Sequence, residues 1–157
     1  MSQLKSIQLA IALATRQRDE RAKAVAQALR TLNFSRSQMD QLESYAGDTD
    51  ARWTDSQAAV RSSELVKHHY AFMERLQHAI SLQTGVIGGS TQQVEAAQKE
   101  LLKAEFRLAG LQQVLKTREA ALQLQLKRRE QRQTDEFAAM QFARRKSQSI
   151  SGENHEH

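Results

Sequence analysis

Val94, Leu101, Leu108, Leu115 and Leu122 stand seven residues apart, with Ala97, Ala104 and Leu111 between them. This repeat constrains the chain more than any other feature. Apolar residues at two positions in seven leave one narrow seam along a helix, and such a seam is buried by a second helix lying lengthwise on it. The N-terminal third has the same spacing in looser form, through Leu4, Ile7, Ile11, Ala14, Arg18, Ala22, Val25, Leu29, Leu32, Arg36, Met39 and Leu42. Arg18 and Arg36 fit a seam edge, where the aliphatic stem packs and the guanidinium reaches water. Composition agrees: Ala, Glu, Leu, Lys and Arg supply 74 of 157 residues, and proline is absent. That is the profile of long helices or coiled coil. Val and Ile total eleven, too few to fill the strands of a sheet.

Two segments could turn the chain back on itself. Residues 47–56, GDTDARWTDS, are rich in turn formers and end in a capping pair, Thr54 with Gln57. Residues 84–91, TGVIGGST, hold three glycines and the pair Ser90 with Gln93. Adjacent glycines cost a helix about 2 kcal/mol relative to alanine, so local signals favour the second. Phase favours the first. Phe72, Leu76, Ala79, Gln83, Val86, Ser90, Val94, Ala97 and Leu101 keep three- and four-residue steps through the glycines with one doubled four, a stutter. A hairpin turn there has no reason to preserve phase.

The expected fold is therefore all-α: an elongated antiparallel two-helix coiled-coil hairpin with unequal arms. Residues 1–146 form the hairpin, with helices over about 3–50 and 61–145 and a turn over about 51–60. The polar stretch 147–157 reads as a disordered tail. At 1.5 Å per residue the arms would be about 70 and 125 Å long. A turn centred near 58–59 sets Tyr45 opposite Phe72, Leu42 opposite Leu76 and Gln38 opposite Ala79. Residues past about 113 then lack a partner within the chain. From Lys116 to Lys146 that overhang holds nine Lys or Arg against four Asp or Glu, a balance of +5.

The sequence offers little for catalysis. With no cysteine there is no disulfide, thiol chemistry or Cys-based metal site. His68 and His69 point about 100° apart on a helix and cannot chelate together; they read as solvated or as flanking the seam. TGVIGGS lacks the preceding strand and following Lys-Ser/Thr of a phosphate loop. No apolar stretch approaches the ~20 residues needed to span a bilayer, so the chain reads as soluble and cytoplasmic, with no cofactor and no membrane insertion. The basic run Lys127, Arg128, Arg129 and Arg132 admits three readings: a solvated flank, a dock for an acidic protein surface, or a phosphate binder. Glu130 interrupts the run, and no aromatics interleave with it for base stacking. Tyr45 and Phe72 could be seam core or, having no second layer of protein over them, a docking patch.

Four segments carry a family resemblance: LATRQRDERAKAVAQAL (13–29), QMDQLESYAGD (38–48), HHYAFMERLQHAI (68–80) and TDEFAAMQFARRK (134–146). In this order and at these separations, the chain resembles the FliJ family of the bacterial flagellar type III export apparatus over about residues 5–146. The resemblance implies a non-enzymatic stalk, monomeric alone and similar to the central stalk of rotary ATP synthases. It implies insertion into the pore of the export ATPase hexamer, and contact with the cytoplasmic ring of the membrane export gate. Export chaperones are further implied partners, and the location implied is the cytoplasmic side of the inner membrane at the flagellar base. The family's gate-binding positions fall at Gln38, Leu42, Tyr45, Phe72, Leu76 and Ala79. Thr49 stands where the family has tyrosine and Gln83 where it has histidine. The basic run at Lys127, Arg128, Arg129 and Arg132 suits the ATPase-gripped end, and the glycines at 85, 88 and 89 depart from the family's usual helical residues. A basic helical nucleic-acid binder and a scaffold self-associating through the overhang remain rival expectations.

Overall fold

A chain without proline, dominated by strong helix formers, has nothing to interrupt a helix except a packed turn. The computed structural model describes residues 2–55 and 62–153, and they form two helices, α1 (Ser2–Asp55) and α2 (Ser63–Glu153). The described backbone has no positive-φ residue, glycine or otherwise. The fold is all-α, a helical hairpin with arms of 54 and 91 residues.

α1 runs five residues beyond the expected boundary at 50. Thr54, expected as a cap, instead lies inside the helix and donates its hydroxyl to the Asp50 carbonyl at 2.9 Å. Trp53 supplies a packing reason for the extra turn, because its ring stacks on His69 of α2 at 3.8 Å. Gln57 and the rest of 56–61 lie outside the described residues. α2 starts from Ser62: its hydroxyl accepts from the Leu65 amide and its carbonyl from the Val66 amide, both at 3.2 Å. The first bond satisfies an amide that the opening turn leaves unpaired, the second is the first rung of the helix ladder, and Glu64 complements the dipole there. At the other end α2 continues through Glu153, over much of the stretch read as a disordered tail. The Ser149 hydroxyl bonds the Lys146 carbonyl at 3.2 Å within that extension. Residues 154–157 lie outside the described residues.

The chain divides into two units, Leu13–Leu108, and Met1–Ala12 with Ala109–His157. In the first, the two helices run antiparallel, as the pairs Trp53–His69, Tyr45–Phe72 and Ser35–Gln83 require. Its seam differs from the expected one on both helices, and Ala22, expected in it, is exposed. On α1 the covered positions after Val25 are Ala28, Leu32, Ser35, Met39, Leu42 and Ala46, so Ala28 and Ser35 stand where Leu29 and Arg36 were expected. Small residues let the helix axes approach. Ser35 is buried because its hydroxyl turns back to the Thr31 carbonyl at 3.0 Å. On α2, Met73, Ile80 and Ile87 take the inward positions expected at Phe72, Ala79 and Val86, which removes the expected stutter. The covered positions step by threes and fours without a break from Val66 through His69, Met73, Leu76, Ile80, Gln83, Ile87, Ser90 and Val94 to Leu108. α2 therefore stays helical through Gly85, Gly88 and Gly89 because its inward stripe never leaves α1.

In the second unit, buried Ile7 and half-buried Leu4 and Ile11 accompany half-buried Leu111, Leu115 and Leu122. Gln3 and Leu4 share a shallow hollow with Arg118, Ala121, Leu122 and Gln125. Cover thus extends to Leu122 rather than ending near 113. The shorter estimate rested on a single register set by a turn centred near 58–59, whereas positions facing each other on two helices spread over a turn. From 123 to 152 every residue is exposed.

Candidate docking faces

The first candidate face lies on the Leu13–Leu108 unit. Tyr45 and Phe72 are flank positions, one on each helix, and their rings meet edge to face with centroids 5.9 Å apart and planes at 78°. This arrangement brings the positive ring edge to the partner's negative face. The pair leaves Tyr45 56% exposed, whereas Leu76 nearby is only 8% exposed. Of the six positions taken from the family, Leu76 is thus seam core. Leu42, Phe72 and Ala79 are half-buried, and Gln38 and Tyr45 face solvent. Gln38, Gln41, Leu42, Tyr45 and Gln83 line one shallow groove.

Gln83, at a position where the family has histidine, ties the floor of that groove across the two helices. Its amide donates to the Ser35 carbonyl at 2.8 Å and reaches the Gln38 side-chain oxygen at 3.4 Å. A neutral amide therefore bridges α1 and α2 beside the aromatic pair. Thr49, the other departure, is half-buried in the seam between Ala46 and Trp53.

Sequence reasoning missed a neighbouring cluster. Trp53 and His69 stack with parallel rings, and His69 in turn meets Tyr70 edge to face at 5.9 Å. His69 takes the seam-flanking role while His68 is exposed. The signal was available: Trp53 continues the spacing of Ala46 and Thr49, and His69 precedes Met73 and Leu76 by seam steps. It went unread because the segment 47–56 looked like a turn.

The second candidate face belongs to the other unit. Lys127, Arg128, Arg129 and Arg132 are all exposed, and none forms an ion pair with a described residue. Leu122, Gln125 and Leu126 join Arg128, Arg129 and Arg132 around a shallow hollow. Asp135 accepts from the neutral Gln131 amide at 3.2 Å. Residues 123–146 hold seven Lys or Arg against three Asp or Glu, a surplus of four positive charges on a helix with no covering partner among the described residues. Leu126, Phe137 and Met140 are exposed on the same stretch. The face can thus offer both charge and apolar area to an acidic protein surface.

Among the described residues no helix is long and apolar enough to cross a membrane. No curated protein and no solved structure matches the chain. The model of one family, the flagellar FliJ protein, matches residues 3–147, nearly the whole chain. The chain therefore belongs to the FliJ family and is a component of the flagellar protein export apparatus.

Proposed function

We propose that this chain is a non-enzymatic stalk that joins the export ATPase hexamer to the cytoplasmic ring of the export gate. It works on the cytoplasmic side of the inner membrane at the flagellar base and also handles export chaperones. The observation that carries the reading is the presence of two unlike docking faces, one in each unit. A groove edged by Tyr45 suits the gate's cytoplasmic domain. The uncovered basic stretch at Lys127, Arg128, Arg129 and Arg132 suits the pore of the ATPase ring, where acidic groups would complement it.

In this reading the gate-facing residues are Gln38, Leu42, Tyr45, Phe72 and Ala79, with Leu76 holding the two helices together beneath them. Aromatic anchors at the centre of a protein contact commonly carry 2 kcal/mol or more on truncation. Tyr45→Ala and Phe72→Ala should therefore weaken binding to the purified gate domain by about tenfold or more, with circular dichroism unchanged. Arg128→Glu with Arg129→Glu should weaken binding to the ATPase and leave gate binding alone. Wild-type affinity for the gate domain in both aromatic variants would remove the groove from this role. Wild-type affinity for the ATPase in the charge-reversed variant would do the same for the basic stretch.

A further inference from the structure

α2 carries a second stripe besides its seam. Starting at Arg75 and ending at Glu100, it steps by four and three residues seven times without a break, on the flank that also bears Phe72. Its large apolar members are open to solvent: Leu82 is 60% exposed and Val86 50%. Between Ala79 and Val94 the helix has no charged residue, although charged residues make up 26% of the chain. Gly85 and Gly89 add a bare helix surface one turn apart, and a Cβ built on either would meet no atom within 4 Å. Glycines inside a helix cost about 1 kcal/mol each, and among the described residues none packs against them to use the space.

The spacing of the stripe is unchanged when its direction is reversed, because its steps run 4-3-4-3-4-3-4. Laid antiparallel on an identical stripe, about a twofold axis between Ile87 and Gly88, each member falls opposite another member of the stripe. Val86 falls opposite Gly89, so a projecting side chain meets a flat one. Leu82 falls opposite Gln93, Ala79 opposite Ala96, and Arg75 opposite Glu100. The last pair closes the contact with opposite charges at both ends. Glu100 already bonds Lys103 at 3.2 Å through one carboxylate oxygen, which leaves the other for Arg75. Arg75 forms no ion pair with a described residue.

We infer that this flank of α2 is a self-association surface, and that its occupant is the same stripe of a second copy in a twofold antiparallel pair. A twofold contact uses one patch on both copies and closes on itself, which the order of residues from Arg75 to Glu100 satisfies. An unlike partner chosen by charge would find nothing to recognise between Ala79 and Val94. The contact is one helix wide and about 38 Å long, so the pair is weak and depends on concentration. It departs from the single-copy state implied by the family resemblance. It does not rest on the docking reading, with which it shares only Ala79.

Sedimentation equilibrium of the full chain tests this, at concentrations up to about 1 mM, the weak end of specific association. Reversible dimers are expected. Arg75→Glu and Glu100→Arg each set like charges face to face at both ends and should weaken the dimer by about tenfold. The double variant Arg75→Glu/Glu100→Arg restores opposite charges and should return to within about twofold of wild type. Arg75→Glu leaves the Glu100–Lys103 pair intact, so its effect does not report on loss of that pair. A chain monomeric throughout the range overturns the inference. So does a dimer indifferent to either single reversal, or single-variant losses that the double variant does not repair. A dimer abolished by Leu126→Ala would place self-association on the basic end and overturn it equally.

Discussion

Two stretches of α2 share a helix and differ in everything that surrounds it. Residues 63–108 lie along α1 and present it an unbroken inward stripe, while residues 123–152 have every side chain exposed. The sequence changes with the surroundings: the leucine repeat ends at Leu122, and cations outnumber carboxylates beyond it. In the covered stretch, packing across the seam fixes the helix. In the bare stretch only intrinsic propensity and local bonds do so, such as Gln131 to Asp135 at 3.2 Å. The uncovered helix offers its whole circumference to a partner, whereas the covered stretch offers only its flanks.

The largest test of this difference is a cavity in the seam. Leu32 is 4% exposed, and Leu32→Ala should cost about 3 kcal/mol, within the range of buried Leu-to-Ala changes. Urea unfolding followed by circular dichroism would measure it. A loss below about 1 kcal/mol would mean that the seam is too open for burial to stabilise it, and the contrast between the stretches would weaken.

Next in size is a gain. Gly85 and Gly88 lie in the covered stretch, but a Cβ on either would point into open space. Gly85→Ala with Gly88→Ala should add about 1–2 kcal/mol by restoring helix propensity without a clash, read as a higher melting temperature. A lower one would show that this backbone leaves the helix in solution. The persistence of α2 through these glycines was legible from phase, because an inward stripe in register is a tertiary constraint written in the sequence. Its detail was not legible. Counting three- and four-residue steps carried Leu29, Arg36 and Val86 into the stripe, whereas closely set helices need small residues at some levels, and on α1 Ala28 and Ser35 occupy them. The Tyr45–Phe72 pair was readable because a turn centred near 58–59 sets the two residues opposite each other. Trp53 with His69 carried the same spacing signal, but turn-forming neighbours in 47–56 masked a helix held by that very stack.

A smaller effect should come from Gln83→Ala. It removes the amide that donates to the Ser35 carbonyl at 2.8 Å, a part-buried neutral bond worth about 1 kcal/mol. The Ser35 carbonyl is already engaged in the α1 ladder, so no acceptor is stranded and the loss should not exceed that figure. Thermal unfolding would register it. No change would mean that solvent replaces the bridge freely, and that the groove floor between Gln38 and Gln83 is wetter than the seam beneath it.

The smallest expected effect decides whether the bare stretch is bare. Leu126 is 49% exposed, so Leu126→Ala should shift stability by no more than about 0.5 kcal/mol. The exchange is the one made at Leu32, in a helix of the same chain, so intrinsic propensity nearly cancels and cover alone separates the two outcomes. Measured at low concentration, a loss approaching that at Leu32 would require a second surface over Leu126 even in the isolated protein. The exposed basic stretch would then already be occupied, and its role as a free docking face for the ATPase would fall with the comparison. A null effect on stability joined to weaker ATPase binding is the pairing expected of a side chain whose partner lies outside its own chain.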